Sequence, residues 1–356
     1  MQKSYQTQRP FAVKRVTPQR LTRMANGYPI SSESHIMKHH WKGLALLLAA
    51  TLHITAGAQH YPNSAITLVV PFAPGSGTDA VARVVAKKWS ERLKEPVLVE
   101  NRAGANGQIA ALYVAKAKPD GYTLFMTTNT THSANPSLVS NLKYDPIKDF
   151  TPVARVGELP FALVVHANDP AKTLREWIEQ VKRNPGKYSY ATPNSTSLVT
   201  SETIQRIAGL QMVGVPYKSS PQAMTDLIGG SVQMYVTDVG SGMGMIKSGQ
   251  VKVLGVTTQE SVSTLPQIPP IAREVHGFDL TSWNGIFGPA GMPKAVVDKL
   301  STELQAALAD PDVKESLKKL GFETWPSKTP EEFAKYVSDQ LAHWGTLIKQ
   351  AGIKPE

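Results

Sequence analysis

The stretch Ile66-Thr67-Leu68-Val69-Val70-Pro71-Phe72-Ala73-Pro74-Gly75-Ser76-Gly77-Thr78-Asp79-Ala80-Val81-Ala82-Arg83 decides how this chain is read. Ile66 to Val70 is a short apolar run rich in β-branched residues, which suits a strand covered on both faces. A Pro/Gly turn follows. Val81, Val84, Val85, Trp89 and Leu93 then recur at helical spacing. Thr78 is the expected N-cap, with Asp79 in the first turn where its charge suits the helix dipole. A turn of small residues that opens a helix presents unpaired backbone N–H groups, a ready site for a carboxylate or a phosphate.

Upstream, Lys38-His39-His40-Trp41-Lys42 is basic, Gly43 to Ile54 is mostly Leu and Ala, and Ala56-Gly57-Ala58 is a small-x-small cleavage pattern. These are the three regions of a cleavable secretory signal peptide. The apolar run is short for a membrane span. Residues 1–36 are polar and basic without apolar periodicity, and read as an over-extended start with Met37 as initiator. Residues 1–58 are therefore expected to be a leader.

Charge follows the same division. The chain is +10 overall, but eight of its 38 Lys and Arg and only one of its 28 Asp and Glu lie in residues 1–58, leaving a net of +3 beyond them. A nucleic-acid partner loses its main support, while small anionic ligands remain compatible. The chain has no Cys, which excludes disulfides, Cys nucleophiles and thiolate metal sites. It also leaves no Cys for a lipid anchor at the cleavage point. The expected product is secreted and free of a lipid anchor.

From Ile66 onward strands and helices alternate, which argues for parallel α/β architecture. Val97 to Glu100, Tyr122 to Met126, Thr151 to Val156 and Phe161 to Ala167 read as strands. Later strands are expected at Tyr188 to Ala191, Val213 to Tyr217, Val232 to Val236 and Val251 to Val256. Thr173-Leu174-Arg175-Glu176 is a capping box. Beyond Trp283-Asn284-Gly285-Ile286-Phe287-Gly288-Pro289 the chain is largely helical, with Pro293, Pro311 and Pro330 near helix starts. Two lobes around a ligand cleft are expected, one from 59–160 and 284–356, the other from 161–283. Polar loops at Gly75–Asp79, Thr127–His132 and Thr192–Ser197, and Asp238, all follow strands, where ligands collect in open α/β sheets.

An enzyme is the rival reading. Gly75-Ser76-Gly77-Thr78-Asp79-Ala80 fits the dinucleotide pattern G-x-G-x-x-A, with Glu100 near the position of a ribose-binding acid. Pro71 and Pro74 separate the strand from the first Gly, and a secreted protein meets little nicotinamide cofactor. No G-x-S-x-G, H-E-x-x-H or paired metal-ligand His occurs in the mature chain, so no cofactor, no metal and no catalytic residue is expected. His132 is the one His in a polar loop after a strand. Asp238 is balanced between a solvated loop acid and a ligand contact. Trp283 is expected to pack between lobes.

Val70-Pro71-Phe72-Ala73-Pro74-Gly75-Ser76-Gly77-Thr78-Asp79 and Val99-Glu100-Asn101-Arg102-Ala103-Gly104-Ala105-Asn106-Gly107 resemble the paired signatures of the Bug (TctC-like) solute-binding receptors. Lys118-Pro119-Asp120-Gly121-Tyr122-Thr123-Leu124, Val215-Pro216-Tyr217-Lys218, Asp226-Leu227-Ile228-Gly229-Gly230 and Trp283 to Gly291 continue the resemblance in order over the mature chain. It implies a two-lobed Venus flytrap of the periplasmic binding protein type 2 kind, monomeric, that delivers a small carboxylate to the permease subunits of a tripartite tricarboxylate-type transporter. A sensor role toward a two-component system and a secreted enzyme acting on such a solute remain alternatives. The resemblance implies a carboxylate gripped, partly through water, by Phe72, Ser76, Gly77, Thr78 and Asp79 of the first loop and by Thr128, Asn129 and His132 of the second. The other lobe would close with Asn194, Ser195, Thr196 and Asp238. Two departures stand out: Ser76 interrupts a turn that is commonly Gly-Gly before the Asp, and Leu198 stands where a His is usual.

Overall fold

The computed structural model describes residues 61–356; the expected signal peptide lies outside the described residues. Among the described residues, eleven strands form two sheets. The first contains β1 (Ile66–Val70), β2 (Val97–Asn101), β3 (Thr123–Thr128), β4 (Phe150–Glu158), β10 (Trp283–Pro289) and β11 (Glu323–Thr324), in the order β11-β4-β10-β3-β1-β2. The second contains β5 (Phe161–His166), β6 (Tyr188–Thr192), β7 (Met212–Pro216), β8 (Met234–Asp238) and β9 (Val251–Val256), in the order β7-β6-β8-β5-β9.

Neither sheet is purely parallel, contrary to the expectation from alternating elements. β1 pairs in parallel with β2 and β3, but β10 runs antiparallel to both β3 and β4. In the second sheet β6 is parallel to β7 and β8, whereas β5 is antiparallel to β8 and β9. The reversals belong to the strands at which the chain passes between sheets. It leaves the first through Leu159-Pro160 and returns before Trp283, so it enters each sheet from the far side. At the passage, Leu159 N–H donates to Ser282 O at 2.9 Å.

Helices cover the sheets: α1 (Gly77–Leu93), α2 (Gln108–Ala115), α3 (Asn135–Leu138), α4 (Leu174–Lys182), α5 (Ser195–Ala208), α6 (Ser220–Ile228), α7 (Val239–Lys247), α8 (Lys294–Ala309), α9 (Pro311–Lys319) and α10 (Pro330–Ala351). The expected apolar stripe of α1 is largely buried: Val81, Val85, Trp89 and Leu93 face the core, with Leu68 and Val70 of β1 among its members. Burying each such side chain contributes about 1.5–3 kcal/mol. Local capping also follows the sequence in α4, where Thr173 Oγ1 accepts the Glu176 N–H at 3.2 Å; the Glu176 carboxylate returns to Lys172 N–H rather than to Thr173.

Other expectations are corrected. Ser76, not Thr78, caps α1: Ser76 is extended and its Oγ accepts the Asp79 N–H at 3.3 Å, while Thr78 already lies inside the helix. Thr192–Ser197 is not an open loop, because Asn194 caps α5 and Ser195 to Ser197 form its first turn. Helix α7 has no counterpart in the sequence reading. Trp283 does not pack between lobes. Its ring lies in an aromatic cluster of the first lobe, edge-on to Phe333 and Tyr336 at 5.9 Å.

Candidate functional site

Four strands, β1 and β3 from the first sheet and β6 and β8 from the second, end at one cleft. A small inner cavity of about 20 Å3 lies there, lined by Phe72, Ser76, Gly77, Thr78, Thr128, Thr130, Leu159, Phe161, Asn194, Thr196, Ser220, Asp238 and Ser282. It adjoins an outer cleft of about 790 Å3 that shares Phe72, Ser76, Asn194 and Ser220 and adds Asn106, Ser195, Leu198 and Lys218 among others. No Lys or Arg lines the inner cavity; its polar lining is hydroxyls, an amide, backbone and one carboxyl.

The turn before α1 is built by its glycines and by Asp79. Gly75 has φ +83°, a conformation that favours glycine. Its N–H donates to Asp79 Oδ2 at 3.0 Å. Arg83 Nε and Asn101 Nδ2 donate to the same carboxyl at 3.2 and 2.9 Å. Burial opposes ionisation of Asp79, but the hydrogen bonds from Arg83, Asn101 and Gly75 and the Arg83 charge outweigh it and hold the carboxyl below its ordinary range. Asp79 is thus committed to shaping the turn and does not line the cavity. With Ser76 Oγ serving Asp79 N–H and Ser76 O serving Ala80 N–H, the N–H groups of Gly77 and Thr78 have no acceptor within the helix, and both residues line the cavity.

Across the cleft, Asp238 ends β8 and caps α7: its Oδ1 accepts the Ser241 N–H and its Oδ2 the Ser241 hydroxyl, both at 2.7 Å. Complete burial pushes its carboxyl up, partly offset by the Ser241 bonds and the N–H of Gly77. Further bonds cross the cleft. Asn129 Nδ2 donates to Thr196 Oγ1 at 2.9 Å, and Asn106 Nδ2 to Ser195 Oγ at 2.5 Å.

The structure therefore brings together Phe72, Ser76, Gly77, Thr78, Thr128, Asn194, Thr196 and Asp238 in the inner cavity and Ser195 in the outer cleft. Asn129 stands behind them, holding Thr196 and accepting the Ser282 hydroxyl at 2.6 Å. His132 is the clearest departure. The polar run after β3 winds into a π-helix at Thr130–Ala134 that turns its ring inward. The imidazole stacks on Phe287 at 4.0 Å and tilts against Phe150 at 4.7 Å, with Nδ1 on Thr131 Oγ1 at 2.9 Å. Burial alone pushes it down to about 3. It is a neutral core residue that does not line the cleft.

Asn106 was not among the expected contacts. Ala105 and Asn106 have φ +46° and +52°, which non-glycine residues adopt at a cost. That geometry aims the Asn106 amide at both Asn135 Oδ1 and Ser195 Oγ. The signal in the sequence was an Asn between two turn glycines, Gly104 and Gly107.

Two α/β lobes joined by paired crossings, with strand ends and a helix N-terminus converging on an interlobe cleft, define a solute-binding protein of the periplasmic binding type. The model of the tripartite tricarboxylate transporter family receptor, TctC, matches residues 81–353, and the chain belongs to that family. Solved structures agree. The R. palustris protein Rpa4515 with adipate is 31% identical, with TM-score 0.81 over 83% of this chain and all of its own. The periplasmic binding protein BugD is 36% identical, with TM-score 0.78 over 83% of this chain and all of its own. MatC from Rhodopseudomonas palustris with bound malate is 32% identical, with TM-score 0.75 over 81% of this chain and all of its own. Among the described residues no helix is long and apolar enough to cross a membrane, and no group of His, Cys, Asp or Glu is placed to hold a metal ion.

Proposed function

We propose that this receptor binds a small carboxylate-bearing solute between its lobes, with the carboxyl at the inner cavity and the rest in the adjoining cleft, works in the periplasm as a monomer without transforming the solute, and hands it to the permease subunits of a tripartite tricarboxylate-type transporter. The observation that carries the reading is the N-terminus of α1 opening onto a cavity without a basic side chain. There the Gly77 and Thr78 N–H groups and the hydroxyls of Ser76, Thr78, Thr128 and Thr196 supply neutral donors. Such donors, with the positive end of a helix dipole, hold a carboxylate without a buried cation. Phe72, Leu159 and Phe161 supply an apolar wall for a carbon skeleton. Asn194 and Ser195 would close over the solute from the second lobe, with Asn129 as support. Lobes divided near residues 160 and 283 would rotate about the Leu159–Ser282 crossing. The adipate and malate bound by the neighbouring structures are in keeping with a carboxylate solute.

Calorimetry of the folded protein against mono-, di- and tricarboxylates, amino acids and nicotinate-like acids tests the reading. Saturable binding of a carboxylate, abolished when its carboxyl is converted to the amide, is the expected result. Heats at baseline across the panel would defeat it.

A further inference from the structure

Asp238 does more than cap α7. Its carboxyl also packs against the backbone of Gly77 across the cleft, so an acidic group from the second lobe already sits at the N-terminus of the 17-residue helix α1. The approach is close enough that a Cβ on Gly77 would overlap Oδ1 and lie 2.6 Å from Cγ. Only glycine permits it. The neighbouring contacts across the cleft, Asn106 to Ser195 and Asn129 to Thr196, are between amides and hydroxyls, whereas Asp238 brings a carboxyl.

We propose that Asp238 is an internal competitor for the α1 N-terminus: it latches the lobes by occupying the place over Gly77 that a solute carboxylate takes, and solute binding displaces it. The competition rests on the carboxylate reading above; the latch does not. The space over Gly77 admits one carboxyl, and two carboxylates at one helix end repel each other. The receptor's preference among anionic solutes is then set by how well each displaces Asp238.

The absence of Cys makes the test clean. Spin labels at Lys116→Cys and Glu179→Cys, exposed positions beside α2 and on α4, report the interlobe distance by double electron–electron resonance with no solute added. Asp238→Ser keeps a good cap for α7 but is too short to span to Gly77. Gly77→Ala suits the helix but blocks the approach. With circular dichroism showing both folded, each variant is expected to lengthen and broaden the distance distribution. Distributions in both that overlay the wild type overturn the latch. With adipate and malate as calorimetric probes, Asp238→Ser is expected to bind about tenfold more tightly, because the competing closed form no longer reduces the binding-competent fraction. Weaker binding in that variant overturns the competition and makes Asp238 a solute contact. If neither probe nor any other carboxylate binds wild type or variant, the carboxylate reading falls, and the distance measurement still decides the latch.

Discussion

Replacing His132 with Phe separates the core role found for this residue from a role in the cleft. The ring is fully buried among Phe287, Phe150 and Phe125, and burial pushes it down to about 3. An unfolded chain titrates its His near 6.5. The folded value is depressed, so below about pH 6.5 the unfolded state takes up a proton that the native state refuses. Native stability then falls with pH by about 1.4 kcal/mol per unit, down to the folded value. From about pH 7.5 to about pH 5 the loss from this residue is about 2 kcal/mol. Phe keeps an aromatic ring against Phe287 and cannot titrate. It gives up the Thr131 bond but removes the unpaired Nε2. Urea unfolding of wild type and His132→Phe across this range gives the difference directly. The variant should gain about 2 kcal/mol relative to wild type over the interval, with solute affinity unchanged. A difference that stays flat with pH would mean that His132 titrates freely in the native state, and the placement in the core would be wrong. Lost binding at native stability would return it to the site.

Other substitutions probe the cradle and its supports. Ser76→Ala removes the α1 cap and should lower stability by about 1 kcal/mol in urea titrations, with a shifted ranking of solutes in calorimetry; an unchanged ranking would clear Ser76 of a role in ligand choice. Asp79→Asn should cost about 1–3 kcal/mol at neutral pH through weakened bonds to Arg83, Asn101 and Gly75. Because the folded carboxyl titrates below its unfolded value, the wild-type advantage is complete above about pH 4 and vanishes as pH falls through the folded value. An advantage that grew on acidification would contradict that sign. Asn106→Ala removes the bridge to Ser195 and should weaken solute binding by about five- to tenfold, the worth of roughly one hydrogen bond, with little effect on the melting temperature.

Much of this was legible from the chain, and the failures have physical causes. The β1 run and the α1 stripe announce themselves because a strand covered on both faces needs an unbroken apolar run and a helix covered on one face needs apolar residues at a period of 3.6. Strand direction leaves no such mark, so the antiparallel β5 and β10 could not be read from alternation. Helix α7 was invisible because Gly240, Gly242 and Gly244 disfavour a helix; it forms where Asp238 caps it and Val239, Gly242 and Met243 are buried. His132 misled because Thr127 to Ser133 is locally polar. What makes it a core residue is Phe150 and Phe287, distant in sequence, and a π turn that no local pattern encodes. Asp79 and Asp238 both read as ligand contacts in the sequence; only the donors that reach Asp79 in three dimensions, from Gly75, Arg83 and Asn101, show it committed to its own turn.

The threading of the first sheet carries a consequence for how the protein is made. β10 lies between β3 and β4, pairing Asn284 with Thr128 and Ile286 with Ala154, yet every strand of the second sheet lies between Phe161 and Val256. During synthesis the second sheet can assemble from one continuous stretch, whereas the first waits with an open gap until the segment beyond residue 282 arrives. Non-local pairing of this kind is slow, and the waiting edges of β3 and β4 are adhesive. The half of the clamp that carries the helix amides is therefore completed last, so a truncated or stalled chain leaves behind a finished second sheet and an unfinished first one.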